Sequence, residues 1–231
     1  MNFSEVKFKN KIDFIQKTAS KVLSDIQNII LEKGTVNIAI SGGNTPIDIF
    51  KFWVNSSFNQ WEKVSFFWVD ERFVPYDDVM NNASNALKIL SELNAKDFYR
   101  METNLGNAEK GAESYEVCLN KQLPVVENFP YFDLILLGIG TDGHTASLFP
   151  NTSILEETQK SVASVYVKKL DSFRISLTYP TILNAGKRYV FLGTGKEEAF
   201  EKAKLSKSSY IEYPIKKIMK EGKVFDEYLA Y

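Results

Sequence analysis

The chain has one cysteine and one histidine among its 231 residues. A lone Cys118 excludes an internal disulfide and a zinc site built from several cysteines, and we expect it to be a small buried apolar residue. A lone His144 excludes a histidine-rich metal centre. No run of about 18 apolar residues is present, so we expect no membrane-spanning helix. The start of the chain lacks the apolar core of a signal peptide, which predicts a cytoplasmic protein.

Neither sign of charge dominates the sequence. Its 28 basic and 29 acidic side chains leave a formal charge of −1, which argues against a protein held on nucleic acid by a basic face. The hydrophobic fraction of 44% and the charged fraction of 25% are typical of globular proteins. With no linker or repeat in view, we predict one domain over residues 1–231.

Short apolar segments alternate with helical patterns along the chain. Apolar residues recur at three- and four-residue steps from Ile12 to Ile30, which predicts a helix ending before Gly34. Strands are predicted at 36–40, 64–69, 132–137, 162–167, 175–179 and 189–192. Helices are predicted after Pro46 and at 85–93, 108–123 and 197–204. Strands without polar alternation, separated by helices, predict an α/β fold: a mainly parallel sheet with helices on both faces.

Three polar segments follow predicted strands, at the end of the sheet where open α/β folds bind ligands. The first is Ser41-Gly42-Gly43-Asn44-Thr45-Pro46, which joins a strand to a helix. Its glycines let backbone N–H groups approach an anion, and Asn44 and Thr45 add side-chain donors. The segment is not a Walker loop. It predicts either a phosphate site or an ordinary tight turn with a helix cap.

The segment Gly138-Ile139-Gly140-Thr141-Asp142-Gly143 has the spacing of a dinucleotide fingerprint. The long helix and the later acidic residue of that fingerprint are missing, so we expect no nicotinamide site. The segment brings Asp142 close to His144, which can take a proton from water near neutral pH with Asp142 orienting the ring. We expect an imidazole pKa near 6.5 if it is unperturbed. The alternative is a purely structural histidine.

The segment Asp70-Glu71-Arg72 offers two carboxylates and a guanidinium at a strand end. Arg72 can meet a substrate oxygen or phosphate, with Asp70 binding a sugar hydroxyl or fixing Arg72. The alternative is a local ion pair. Arg174 and Lys196 are further candidates for binding a phosphate, although each alone can equally be a surface charge.

Together these segments resemble the 6-phosphogluconolactonase family, within the wider group that includes glucosamine-6-phosphate deaminases. Residues 41–46 resemble the family's SGGxTP loop, residues 70–75 its DERxVP segment, and residues 137–150 its LGxGxDGHTASLFP signature. Residues 174–178 and Gly195-Lys196 resemble its later strand and glycine–lysine pair. Asn44 replaces a common serine, and Asn81-Asn82 stand where the family has Ser-Asn, so we leave residues 81–85 out of the predicted site.

The resemblance implies a Rossmann-like domain with a small additional β extension. It implies hydrolysis of 6-phosphogluconolactone to 6-phosphogluconate, the second step of the oxidative pentose phosphate pathway. The expected catalytic residues are His144, Asp142 and Arg72. The expected substrate-binding residues are Gly42, Gly43, Asn44, Thr45, Asp70, Arg174 and Lys196.

We expect a small phosphosugar lactone as the substrate, with no cofactor, metal, nucleic acid or membrane; the sequence leaves the oligomeric state open. One alternative is a deaminase, but the deaminase segment has a glutamate where this chain has Phe149, and a phenyl ring carries no proton. The other alternative is a sugar-phosphate-binding module without catalysis. Direct attack by water fits the lactonase best, with the oxyanion bound by the backbone of residues 140–145 or by Arg72.

Overall fold

The structure is a computed structural model that describes residues 3–193, 195–205, 207, 209–222 and 226–230. The ends of the domain predicted over residues 1–231 therefore lie outside the described residues, and the single domain stays a prediction. In chain order the strands are β1 (Phe3–Lys7), β2 (Val36–Ile40), β3 (Val64–Trp68), β4 (Asp70–Arg72), β5 (Asp97–Tyr99), β6 (Val125–Val126), β7 (Phe129–Pro130), β8 (Leu134–Gly138), β9 (Val162–Val167), β10 (Ser172–Leu177), β11 (Lys187–Leu192) and β12 (Asp226–Ala230). The helices are α1 (Lys11–Lys33), α2 (Asn44–Val54), α3 (Asn82–Leu90), α4 (Ala108–Gln122), α5 (Tyr179–Asn184), α6 (Glu197–Leu205) and α7 (Ile215–Glu221).

The main sheet has seven strands among the described residues, in the order β1-β12-β11-β8-β2-β3-β5. Every neighbouring pair in it is parallel. Its central strands are buried along nearly their whole length, which explains why they are mostly apolar without polar alternation. The predicted α/β class with a mainly parallel sheet is confirmed.

Two apolar cores lie on opposite faces of this sheet. Successive side chains of a strand point to opposite faces, and Phe66 accordingly packs in one core while Phe67 packs in the other. Helices α1, α2 and α3 supply one core, and α4 to α7 supply the other. The predicted arrangement with helices on both faces is therefore present.

Helix α1 shows how local sequence sets an element's length. The side chain of Asn10 accepts a hydrogen bond from the backbone N–H of Asp13 and caps the start. Gly34 ends the helix in the left-handed conformation, at φ 82°, and its N–H bonds the carbonyl of Ile30. The helix expected between Ile12 and Gly34 is confirmed.

A small antiparallel sheet, in the order β4-β10-β9, stands beside the main one. The chain passes between the two sheets at Val69, whose N–H bonds Ile40 of the main sheet while its carbonyl accepts from Leu177 of the small one. This is the additional β extension implied by the family resemblance. Residues 70–72, predicted only as a polar strand end, form a strand of their own.

Several predicted bounds shift, and several elements were not predicted. The strand expected at 175–179 is β10, which begins at Ser172 and ends at Leu177. Strands β1, β5 and β12 and helices α5 and α7 were missed because each is too short to show a period. The helix expected at 85–93 is α3, which begins and ends three residues earlier.

The early start of α3 is explained by Glu71, which is fully buried beneath it. The Glu71 carboxylate accepts the backbone N–H groups of Arg72, Asn82 and Ala83 at 2.7–2.8 Å. The side-chain oxygen of Asn81 accepts a hydrogen bond from the backbone N–H of Ser84 at 2.8 Å. These bonds satisfy N–H groups that a helix start leaves without partners. Burial raises the pKa of Glu71 to about 7, although its three donors favour the carboxylate and oppose the shift.

We predict that Glu71→Gln lowers the free energy of unfolding by about 1–3 kcal/mol, because an amide nitrogen would face a buried backbone donor. Urea denaturation followed by circular dichroism measures this change. Glu92→Gln is the matched control, since Glu92 is exposed. Equal midpoints for the two variants would contradict the anchoring role of Glu71.

Candidate active site

A cleft of about 500 Å³ lies at the carboxyl ends of the central parallel strands. The residues that line it come from widely separated parts of the chain. They are Lys11, Ser41, Gly42, Gly43, Asn44, Thr45, Pro46, Asp70, Arg72, Asn82, Gly138, Ile139, Gly140, His144, Ala146, Phe191, Gly193 and Lys196. All three predicted strand-end segments therefore meet at one cleft, as the parallel sheet requires.

The glycine segment forms the wall of the cleft where β2 passes into α2. Gly43 has φ 100°, a conformation that favours glycine, and α2 begins at the next residue. Gly42 lies against Asn82, and a Cβ there would fall 1.9 Å from the Asn82 side-chain oxygen. The start of α2 thus faces the cleft, where its backbone N–H groups and dipole favour an anion.

The loop after β8 is held by its own hydrogen bonds. The N–H of Gly140 bonds the carbonyl of His144 at 2.8 Å, and the N–H of Gly143 bonds the carbonyl of Gly140 at 3.0 Å. The hydroxyl of Thr145 donates to the carbonyl of Gly138 at 2.8 Å. A Cβ at Gly140 would meet the His144 ring at 2.1 Å, so only glycine lets the ring fold back over the loop.

This fold brings His144 against Asp142. The two side chains meet at 2.5 Å between His144 Nδ1 and Asp142 Oδ1, and the same oxygen accepts the His144 backbone N–H at 3.2 Å. An Nδ1–H that donates to Asp142 leaves Nε2 as the proton acceptor of the ring. Phe149 stacks on the imidazole with ring centroids 4.0 Å apart. The geometry is that of an oriented base.

The surroundings of His144 favour its neutral form. Burial lowers the pKa of His144 to about 4, below the value near 6.5 expected for an unperturbed imidazole. The carboxylate of Asp70 opposes this shift, and three cations add to it: Lys196, Arg174 and Arg72. The imidazole is therefore neutral across the physiological pH range.

Strands β4 and β10 bring the predicted arginines together. Arg72 and Arg174 are direct cross-strand partners, so two guanidinium groups lie on neighbouring strands. Like charges placed opposite each other are unfavourable without an anion between or beside them. Arg72 Nη1 donates to the Met80 carbonyl at 2.7 Å, and Asp70 accepts from the Ser147 hydroxyl at 2.7 Å.

Most of the predicted site residues line the cleft, and two, Asp142 and Arg174, do not. The residues that line it are Gly42, Gly43, Asn44, Thr45, Asp70, Arg72, His144 and Lys196. Asp142 does not line the cleft itself, but its side chain contacts His144, which does. Arg174 is 6% exposed, and its Nη1 donates to Ser172 and to the Phe173 carbonyl.

Two lining residues with polar side chains were missed from the sequence. Asn82 was left out because the family's Ser-Asn pair is displaced here, yet its Nδ2 donates to the Asp70 carbonyl at 3.1 Å at the cleft wall. Lys11 reaches the same cleft from the start of α1 and pairs with Asp48 at 2.7 Å. No local motif marks Lys11. Cys118 is half-buried rather than fully buried, and burial raises the pKa of its thiol.

Fold and site define an α/β protein with a histidine–carboxylate pair in a cleft suited to an anion. The family model described as "Glucosamine-6-phosphate isomerases/6-phosphogluconolactonase" matches residues 9–225. The chain belongs to this family, and the resemblance drawn from its motifs is confirmed.

Two relatives that align with most of this chain carry the same name. The 6-phosphogluconolactonase of Chlamydia pneumoniae is 35% identical over 189 residues, covering 80% of this chain and 70% of the relative. The 6-phosphogluconolactonase of Synechocystis sp. is 34% identical over 221 residues, covering 93% of this chain and 90% of the relative. The function predicted from the motifs, lactone hydrolysis, agrees with these names.

Solved structures share the fold over nearly the whole chain. The crystal structure of a 6-phosphogluconolactonase from Shewanella baltica has a TM-score of 0.86 at 25% identity, covering 99% of this chain and 98% of the other. The 6-phosphogluconolactonase from Trypanosoma cruzi has a TM-score of 0.87 at 22% identity, covering 100% of this chain and 95% of the other. At this identity the comparison shows a shared fold alone.

Two kinds of feature are absent from the described residues. They contain no group of three or more histidine, cysteine, aspartate or glutamate side chains that could hold a metal ion. In the same part of the chain, no helix combines the length and the apolar character needed to cross a membrane.

We predict that the His144 imidazole stays neutral down to about pH 5.5, where an ordinary histidine would be about nine-tenths protonated. Proton NMR of the ring C–H signals measures this directly, because the chain has only one histidine. Asp142→Asn should lower the pKa further by removing the carboxylate that favours the imidazolium. A titration midpoint near 6.5 in the native protein would contradict the buried, cation-flanked setting of His144.

Proposed function

We propose that the protein hydrolyses 6-phospho-D-glucono-1,5-lactone to 6-phospho-D-gluconate by general-base activation of water. The observation that carries this proposal is the His144–Asp142 pair on the wall of a cleft that also holds Arg72 and Lys196. Family membership and the names of the relatives support the substrate class.

In this proposal the phosphate is held away from the reacting carbonyl. The start of α2, with the backbone of Gly42 and Gly43 and the side chains of Asn44 and Thr45, supplies donors. Lys196 lines the same cleft, and Arg174 adds positive charge as the cross-strand partner of Arg72. Fixing a remote phosphate orients the lactone for attack and contributes to rate through positioning.

The chemical step follows from the position of His144. Nε2 removes a proton from water while the water oxygen bonds to the lactone carbonyl carbon, which forms a tetrahedral oxyanion. As the oxyanion collapses, the bond from that carbon to the ring oxygen breaks, and the imidazolium returns its proton to the leaving oxygen. Asp142 holds the ring throughout and stabilises the transient imidazolium.

The oxyanion needs donors that are not already occupied. The N–H groups of Gly140, Gly143 and His144 bond within their own loop. This supports Arg72 over these three N–H groups as the group that stabilises the oxyanion, because the Arg72 side chain lines the cleft and has five N–H donors, of which Nη1 bonds the Met80 carbonyl. Asp70 lines the same cleft, and we assign it the role of accepting a hydrogen bond from a sugar hydroxyl.

The proposal predicts a clear difference between two phosphosugar substrates. The purified protein should hydrolyse freshly generated 6-phosphogluconolactone, measured by coupling the product to NADP reduction. It should release no ammonia from glucosamine 6-phosphate, because Phe149 carries no carboxylate where the deaminase segment has one. Ammonia release at a rate comparable to lactone hydrolysis would overturn the proposal.

We also predict that His144→Ala lowers kcat by about 10²–10⁴ while binding of 6-phosphogluconate is nearly unchanged. Asp142→Asn should be milder, because orienting a base matters less than possessing one. Thr141→Ala, an exposed position in the same loop, is the control and should keep full activity. Rates are corrected for spontaneous lactone hydrolysis. A folded His144→Ala protein with wild-type kcat would exclude His144 as the base.

A further inference from the structure

Lys169 reaches the His144–Asp142 pair from the small sheet. It lies in the turn Lys168–Leu170, which connects β9 to β10 at the tip of that sheet. Its ammonium group forms an ion pair with Asp142 Oδ2. The same group lies 4.8 Å from the centroid of the Phe149 ring, within range of a cation–π contact.

These contacts close a cycle of four side chains. Asp142 presents Oδ1 to His144 and Oδ2 to Lys169. Phe149 stacks on His144 and also lies beneath the Lys169 ammonium. Asp142 and Phe149 each contact the imidazole, and Lys169 contacts both of them.

We propose that Lys169 is a positioning residue for the base, which acts on His144 through Asp142 and Phe149. The inference rests on the proposed function, because it assumes that His144 performs the proton transfer. It deepens that function by giving the small sheet a part in the reaction.

The loop that carries the base needs such support. Asp142 lies between Gly140 and Gly143, and its side chain is 28% exposed, so water competes for its oxygens. A carboxylate free to rotate would present Oδ1 to His144 for only part of the time. An ion pair at Oδ2 restricts rotation of the Asp142 carboxylate. The ring of Phe149, which stacks on the imidazole, limits movement of the His144 ring.

The turn that carries Lys169 is itself braced. Asp171 ends it in the left-handed region at φ 44°, and the Tyr166 hydroxyl contacts the Asp171 carboxylate. The rings of Tyr166 and Phe173 pack across the two strands with centroids 5.0 Å apart. The small sheet therefore presents Lys169 from a fixed position, although the Lys169 side chain is 51% exposed.

Removing the ammonium group changes the charge around His144. The charged groups that face the imidazole are Asp142 in its own loop, Asp70 and Arg72 on β4, Arg174 on β10 and Lys196 at the start of α6. With Lys169 neutralised, the negative charge of Asp142 is less compensated, which favours the imidazolium. The pKa of His144 should therefore rise.

Three variants test the inference. Lys169→Met keeps most of the side-chain volume without the charge, Lys169→Arg keeps the charge, and Lys168→Met removes an exposed neighbouring charge as the matched control. We expect Lys169→Met to lower kcat about tenfold with little change in KM, since small misplacement of a reacting group is costly. It should also raise the His144 pKa measured by NMR. Lys169→Arg and Lys168→Met should stay within about twofold of wild-type kcat.

The outcomes separate this inference from the proposed function. Wild-type kcat and an unchanged His144 pKa in folded Lys169→Met would overturn the positioning role while lactone hydrolysis stands. Loss of kcat in Lys169→Arg equal to that in Lys169→Met would also overturn it, because the charge would then not be what acts. If the wild-type protein fails to hydrolyse the lactone, the proposed function fails, and the NMR titrations still decide whether Lys169 acts on His144.

Discussion

The hydrogen bonds of Val69 join the two sheets, and the cleft depends on this junction. Its N–H belongs to the main sheet and its carbonyl to the small sheet. Because the chain changes sheets there, the next residues leave the plane of the parallel strands and form β4. Asp70 and Arg72 then line the cleft, while Glu71 between them points into the core and holds the start of α3. Residues 70–72 thus supply two side chains that line the cleft and, through Glu71, hold the start of α3 beside it.

The chemistry of the site depends on keeping one imidazole neutral among several cations. Lys196, Arg72 and Arg174 favour an anion in the cleft, and they also disfavour a proton on His144. In the proposed reaction these two effects act together, because positive charge binds the substrate's anionic phosphate and a neutral imidazole keeps the lone pair that a base needs. Asp142 supplies the opposite influence at close range and stabilises the imidazolium when it forms.

The sequence predicted elements that have at least one face in a core. Helix α1 and strands β2 and β9 were located because apolar periodicity or unbroken apolar runs arise wherever an element faces a core. The pairing of β4 with β10 could not be predicted, since a three-residue strand has no pattern that says which sheet it joins. The parallel pairing of β1 with β12 joins strands from opposite ends of the chain, and no local signal encodes it.

The candidate site was predicted where it lies in motifs and missed where it does not. His144, Asp142 and the glycine segment were found because each carries a distinctive spacing. Asn82 was missed because the residues around it depart from the family pattern. Lys169 was missed because a lysine in an exposed turn looks like any surface charge, and only the tertiary structure brings it to Asp142.

The strand order also bears on how the protein is made. Strand β12 lies between β1 and β11, so β1 pairs with a segment that the ribosome makes much later, as the partners Phe3 and Asp226 show. At ~5–20 residues per second, β1 waits roughly ten to forty seconds for its neighbour. During that interval the backbone groups of β1 have no β12 to bond, and β11 presents an open edge to other nascent chains. Completion of the sheet therefore waits for the synthesis of β12, and chaperones that cover strand edges have a defined interval in which to act.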